Sequence, residues 1–285
     1  EWFRWMVEQM SRRLSTTTQD VLVGKRVRLV DASVVCEPGA TGSTWRIHYM
    51  IDLSTLACEQ LQVTLPDEGE TLTRFEVRAN DILMADRGLA HRRGIRHVVA
   101  GGGDVIVRSN MVSVPLEDGK GKEVALLPKL RKLKVGEARE WPAFMRDDQG
   151  TIALRVCALK KSAEQKRKAQ DKLREVASKK QRNLQPDTLE AAGYVVVLTT
   201  LREVSAQNIL ELYRHRWQIE LAFKRLKSLL QLGHLKKTDQ VGAKAWLQGK
   251  LFVATLIETL IAVGERFSPW GYFLSAEQGA PLSLA

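Results

Sequence analysis

A chain of 285 residues with 44% hydrophobic and 27% charged residues has ordinary globular proportions, which excludes wholesale disorder, a collagen-like repeat and a membrane-embedded protein. Its 44 Lys and Arg against 33 Asp and Glu leave a net charge of +11. Most of that excess sits in residues 160–182, with 10 basic and 3 acidic residues, and in residues 202–237, with 8 and 3; such focusing points to a polyanionic partner, nucleic acid or an anionic membrane surface.

The opening stretch, with Trp2, Phe3, Trp5, Met6 and Met10, is amphipathic, carries acidic residues and lacks a cleavage-site pattern, so it reads as the end of a helical region over 1–20 rather than a signal peptide. The absence of an initiating Met suggests that a natural N-terminal segment precedes it. Residues 27–35, 45–53 and 60–65 read as three strands of an antiparallel meander with close turns. A short apolar run at 82–85 is stopped by Asp86-Arg87-Gly88. A basic helical stretch at 89–96, a Gly101-Gly102-Gly103 turn and a strand at 105–108 follow, so the class is mixed α/β. Residues 111–157 show short β-like pieces with no helix of useful length. Residues 160–182 read as a Lys/Arg-rich helix, solvated or facing DNA, with a disordered linker as the alternative. Residues 194–198 form a buried strand, and Ser205 can cap a long helix that reaches about Leu232. The apolar run 251–263 carries Glu258 and falls short of the roughly 20 residues a bilayer requires, so it reads as a buried helix. Residues 266–285 form a tail without a periodic apolar pattern. Cys36, Cys58 and Cys157 are odd in number and far apart, which excludes a disulfide framework and a CxxC zinc site and suits a reducing, intracellular setting.

The chemistry is concentrated in the helix expected after Ser205. Tyr213, Arg216, Glu220 and Lys227 recur at spacings that place them along one helical stripe, where a phenol, a guanidinium, a carboxylate and an ammonium are presented together. The plainer alternative is an amphipathic helix with i,i+4 salt bridges. Asp31 lies inside an apolar strand and Asp86 just after one. Carboxylates there are costly to bury unpaired, so a cation would explain them, against the usual strand-end or turn Asp. Three such carboxylates are the hard-oxygen set that Mg2+ or Mn2+ prefers, and two ions about 3.5–4 Å apart can drive an in-line phosphodiester displacement. His91 and His97, among Arg92, Arg93 and Arg96, fit a basic surface turn better than a metal site. Neither Ser33 nor Ser109 has a nucleophile motif around it.

The run Tyr-x2-Arg-x3-Glu-x6-Lys, together with Arg216-Trp217-Gln218-Ile219-Glu220 and Phe223-Lys224, resembles the signature helix of the DDE transposases of bacterial insertion sequences of the fourth type. Asp31 in its strand and Asp86 in Ala-Asp-Arg-Gly resemble the first and second catalytic Asp of that family, in the same chain order. The resemblance spans about residues 22–260. It implies a ribonuclease H-like mixed sheet flanked by helices, with a core of 21–109 and 193–265 interrupted by a β-rich insertion over 110–192. It also implies a cut-and-paste DNA transposase in which Asp31, Asp86 and Glu220 hold two Mg2+ ions, replaceable by Mn2+. Tyr213, Arg216 and Lys227 would grip phosphates, with Arg87, Trp217 and Lys224 beside them, and Trp141 would be the aromatic of the insertion that can stack a flipped base. The implied partners are transposon ends, target DNA and a second copy of the chain in a synaptic dimer, in the bacterial cytoplasm at the nucleoid. The rivals are a decayed relative that binds DNA without cutting it, a nuclease of the same fold that lacks strand transfer, and a protein of anionic membrane surfaces.

Overall fold

The strand residues alternate between two separate cores, and that alternation explains the architecture. In the computed structural model, which describes residues 22, 24–37, 44–109, 111–229, 231–232, 235 and 239–266, Ile82 and Met84 face one core while Leu83 and Ala85 face the other. A strand that is apolar on both sides belongs in the centre of a sheet covered on both faces. The sheet has eight strands: β1 (Arg26–Val35), β2 (Trp45–Asp52), β3 (Cys58–Thr64), β4 (Asp81–Ala85), β5 (Asp104–Arg108), β6 (Ala138–Asp147), β7 (Gly150–Lys160) and β8 (Tyr194–Thr199). Their order is β3-β2-β1-β4-β5-β8-β7-β6. The pairs β1–β4 and β4–β5 are parallel, and the remaining pairs are antiparallel. This is a mixed α/β sheet whose first five strands follow the ribonuclease H-like order expected from the sequence.

Helices cover both faces. On one side lie α1 (Arg92–Ala100) and α2 (Leu126–Arg131), which contribute Ile95, Val98, Leu126 and Leu130 to the core. The other side is covered by α5 (Ala206–Tyr213), α6 (Trp217–Leu229) and α7 (Gln240–Arg266). Between β7 and β8 come α3 (Ala163–Lys179) and α4 (Pro186–Ala191). Ser162 closes a capping box with Gln165 at the start of α3, and Ser205 accepts from the Asn208 amide at 3.2 Å at the start of α5, as its sequence context predicts.

Several elements differ from their sequence-based expectations. The long helix after Ser205 is interrupted by a 3-10 turn at Arg214–Arg216 and ends at Leu229, before the expected stop. The basic stretch at 89–96 splits into a 3-10 turn at Arg87–Leu89 and α1, which begins only at Arg92. The short β pieces of the 111–157 region merge into one long hairpin, β6–β7, paired from Ala138↔Leu159 to Asp147↔Gly150. Through β7 that hairpin pairs with β8 and extends the core sheet. The 251–263 run is only partly buried where its side chains are described, through residue 260: Leu251 and Ala254 join the core, with Ala243, Leu247 and partly buried Trp246 before them, whereas Phe252 is 69% and Leu260 60% exposed. A single helix laid on a sheet buries one face, whatever the composition of the other.

The Gly101-Gly102-Gly103 turn is as expected. Gly102 has φ +76°, and a Cβ on Gly103 would stand 2.7 Å from Val77 Cγ1. His97 pairs with the Phe75 carbonyl at 2.9 Å, a structural role. All three cysteines are free, and among the described residues no helix is long and apolar enough to cross a membrane. The expectations for 1–20 and, beyond Arg266, for the tail lie outside the described residues.

Candidate active site

The parallel register of β1 and β4 brings the two aspartates side by side. Val30 pairs with Ala85, so Asp31 and Asp86 each follow a member of that pair on neighbouring strands. β4 ends at Ala85, and ligands of such open sheets bind at the carboxyl ends of parallel strands. Asp86 caps the 3-10 turn by accepting from the Arg87 amide at 2.6 Å. Gly88 completes the Asp-Arg-Gly turn under a close approach: a Cβ there would lie 2.9 Å from Glu70 Oε2.

Glu220 lies on the first turn of α6, which packs on β1 through the apolar side that includes Ile219, Ala222, Phe223 and Leu226. Asp31, Glu220, Lys224 and Lys227 line one open pocket of about 510 Å³ beside Ala32 and Ser33. Arg216 stands between the two carboxylates: its guanidinium is 3.6 Å from Asp31 Oδ2 and donates to Glu220. The i,i+4 salt bridge that the spacing allows is therefore present, and it is also part of the site.

Tyr213 is buried, and its hydroxyl donates to the Ala85 carbonyl at 3.4 Å, so it ties α5 to the strand end that carries Asp86. Burial pushes the Tyr213 phenol up, and the Asp86 charge adds to that. Burial pulls the Arg216 guanidinium down, but Tyr213, Glu220 and Asp86 outweigh it and hold the group protonated.

The remaining candidates are placed elsewhere. Arg87 is exposed and lines a different cavity, and half-buried Trp217 does not line the carboxylate pocket. Trp141 packs against the core from β6, an edge strand four strand positions from β4, about 19 Å away at the usual strand spacing. Two residues near the site carried no motif. Glu70 is close enough to raise the Asp31 carboxyl, and Arg108 ends β5 much as Asp86 follows β4. A basic residue at the carboxyl end of a buried strand was the available signal for Arg108.

The Asp31 carboxyl is pushed up to about 6, first by burial and further by Asp86 and Glu70, against the Ala32 amide and Arg216. The Ala32 amide donates to it at 2.8 Å. An acid with a raised folded-state pKa binds its proton more tightly in the folded chain, so stability falls as pH rises from about 4 to about 6, and the deficit persists above that window. Asp31→Asn keeps an acceptor for Ala32 and is expected to raise stability by about 2 kcal/mol at pH 8 and by almost nothing at pH 3.5. Denaturant titration at both pH values checks this; an equal effect at both would show that the buried charge is not the cause.

A divalent cation fits this donor set: carboxylate oxygens, one of them half-buried and destabilised by two like charges. In the arrangement seen, Glu220 is turned to Arg216 with its side chain 57% exposed, and among the described residues no three acidic, histidine or cysteine side chains stand close enough to hold an ion.

Comparison with known proteins agrees with this geometry. A family model described as the transposase DDE domain matches residues 24–256. The putative transposase InsL for insertion sequence element IS186A of Escherichia coli (strain K12) is 35% identical over 86% of this chain and 69% of its own length. The transposase for insertion sequence element IS421 of Escherichia coli is likewise 35% identical, over 86% of this chain and 68% of its own. The transposase for insertion sequence element IS231F of Bacillus thuringiensis subsp. israelensis is 29% identical over 47% of this chain and 28% of its own. With its ribonuclease H-like sheet and its match over most of the sequence, the chain belongs to the transposase DDE domain family, enzymes that cleave and join DNA with divalent metal ions.

Proposed function

We propose that Asp31, Asp86 and Glu220 are the metal ligands and catalytic carboxylates of a cut-and-paste transposase, which acts first at transposon ends and then on target DNA. The observation that carries this reading is the meeting of Asp31 and Glu220 with Lys224 and Lys227 in one open pocket, beside a strand end that carries Asp86. The ions are Mg2+, with Mn2+ able to substitute, two per site; when bound, they activate water or a 3′-hydroxyl and stabilise the leaving oxygen.

The protein's own side chains do the positioning. Lys224 and Lys227 reach phosphate oxygens of a strand lying along α6. Arg216, shared between Asp31 and Glu220, is the cation whose contacts must rearrange as the carboxylates take up their ligands. Tyr213 acts on the protein, fixing the Ala85–Asp86 strand end through its hydroxyl. Arg87, Trp217 and the more distant Trp141 contribute to DNA contact around the pocket. Residues 110–192 act as the insertion that widens this DNA-facing surface, between the core segments 21–109 and 193–265. Two copies hold two ends in synapsis, at the nucleoid of the bacterial cytoplasm.

The test is a cleavage assay with intact ends of the element beside a joining assay with pre-cut ends and a supercoiled target, in Mg2+ and in Mn2+. End-joined products are expected. Cutting of intact ends without joining would instead make the protein a nuclease of the same fold, and binding with neither would make it a non-cutting relative.

A further inference from the structure

Arg87, Arg108 and Lys161 help to line a second cavity, about 440 Å³, bounded by the core sheet and residues of α2, α3 and α4. Its walls mix apolar and polar groups: Leu127, Leu173 and Tyr194 are among them, and so are the acidic residues Glu123 and Asp187, neither of which is ion-paired to the three cations. Three other half-buried or buried guanidiniums are neutralised: Arg28 by Asp81 and Glu59, Arg96 by Asp147, Arg155 by Glu140. Among the described residues no carboxylate lies within ion-pairing distance of Arg87, Arg108 or Lys161. The Lys161 ammonium donates to the Ala192 carbonyl at 2.7 Å, a contact that orients it without cancelling its charge.

The three cations act on one another. Lys161 is pushed down to about 8, by burial first and then by Arg108 and Arg87. Arg108 is likewise pulled down by burial and by Arg87, and it feels both Asp86 and Tyr213, so the cluster adjoins the carboxylate site. Two half-buried cations and exposed Arg87 lining one cavity, without an ion-paired carboxylate among the described residues, repel one another and are favourable around an anion.

We propose that Arg108 and Lys161, with Arg87, form a phosphate-binding site that holds a backbone phosphate of the DNA strand passing the carboxylate pocket, making Arg108 and Lys161 positioning residues for that strand. The identity of the ligand as DNA rests on the reading above; the phosphate site itself does not. Arg108 offers a planar fork suited to two phosphate oxygens, and Lys161 a point charge fixed by the backbone of the α4–β8 connection.

Two binding readouts test this on the whole chain. In thermal unfolding at constant ionic strength, replacing chloride with inorganic phosphate is expected to raise the midpoint of wild type but not that of Arg108→Gln or Lys161→Gln. Both variants should be at least as stable as wild type in chloride, since each relieves repulsion, and this separates a lost ligand from a lost fold. In titrations of a labelled blunt-ended duplex, each variant is expected to weaken binding roughly ten-fold and to reduce the slope of log affinity against log salt by about 0.9. The double variant should lose little more than either single one, because both contact one phosphate, and Lys172→Gln on the exposed face of α3 is the comparison for a remote charge.

Phosphate stabilisation with an unchanged duplex slope would overturn the DNA assignment in favour of a free phosphate ligand. Absence of both effects would overturn the site. Failure of the wild type to cut or join DNA would bear only on the proposed function, because neither readout here requires chemistry.

Discussion

Asp31→Asn, Asp86→Asn and Glu220→Gln, each made alone, are expected to lower strand cleavage and joining by about a thousand-fold or more while duplex binding stays within a few-fold of wild type. Each substitution removes a hard anionic ligand but retains size and hydrogen-bonding capacity. The loss should therefore fall on stabilisation of the transition state, where several kcal/mol of metal-dependent charge compensation are at stake. Binding is carried by the net charge of +11 and by Lys and Arg contacts that these changes leave in place. The Asp31 variant gives a further signature, since it should be more stable than wild type at pH 8 and yet inactive. A cleavage time course with a labelled end, run beside an equilibrium binding curve, decides the matter. Any variant that cuts at the wild-type rate would remove that carboxylate from the proposed set.

Asp81→Ala is expected to be the most damaging single change for folding, at a cost of about 3–5 kcal/mol, without any direct effect on the carboxylate pocket. Asp81 is fully buried at the start of β4, the opposite strand end from Asp86. It accepts from Arg26 at 2.6 Å, from Arg28 at 2.5 Å and from the Arg78 amide at 2.8 Å. Arg28 is only 2% exposed and also pairs with Glu59 and the Glu76 carbonyl. Removing Asp81 would leave Arg28 with a half-satisfied buried charge, and that uncompensated charge dominates the cost.

The pH dependence runs opposite to that of Asp31. Burial alone would raise the Asp81 carboxyl, but the Arg78 amide, Arg26 and Arg28 together hold it below the usual carboxylate range. Its contribution is thus present above the unfolded-state value and is lost as pH falls through the folded one. Urea unfolding of wild type and Asp81→Ala at pH 7 measures the cost, and a difference under about 1 kcal/mol would mean that the arginines find other partners.

Much of the site was legible because its grammar is local. Ser205 and the apolar periodicity around Ile219 and Phe223 mark a helix, and the spacing of Arg216 and Glu220 brings a guanidinium onto a carboxylate in any helix or tight helical turn. Asp31 and Asp86 stood out because a carboxylate in or after an apolar strand has few inexpensive environments. The 3-10 turn at Arg214–Arg216 was not legible, because its residues fit an α-helix equally well. Nor was the outward apolar face of α7, whose composition reads as core although the sheet covers only one side of it.

The sequence by itself determined the alternating strands, the capped helices, the identity of the chemical groups and their order along the chain. These depend on dihedral preferences, side-chain periodicity and contacts within a few residues, all of which a short window contains. Only the tertiary structure decided that Asp31 and Asp86 stand abreast, that Arg216 sits between Asp31 and Glu220, that the β6–β7 hairpin joins the core sheet, and that Arg87, Arg108 and Lys161 share one cavity. Those facts depend on strand order, parallel register and the packing of helices over the sheet, where residues far apart in the chain meet because burying both faces of a sheet outweighs the entropy of closing the long loops between them.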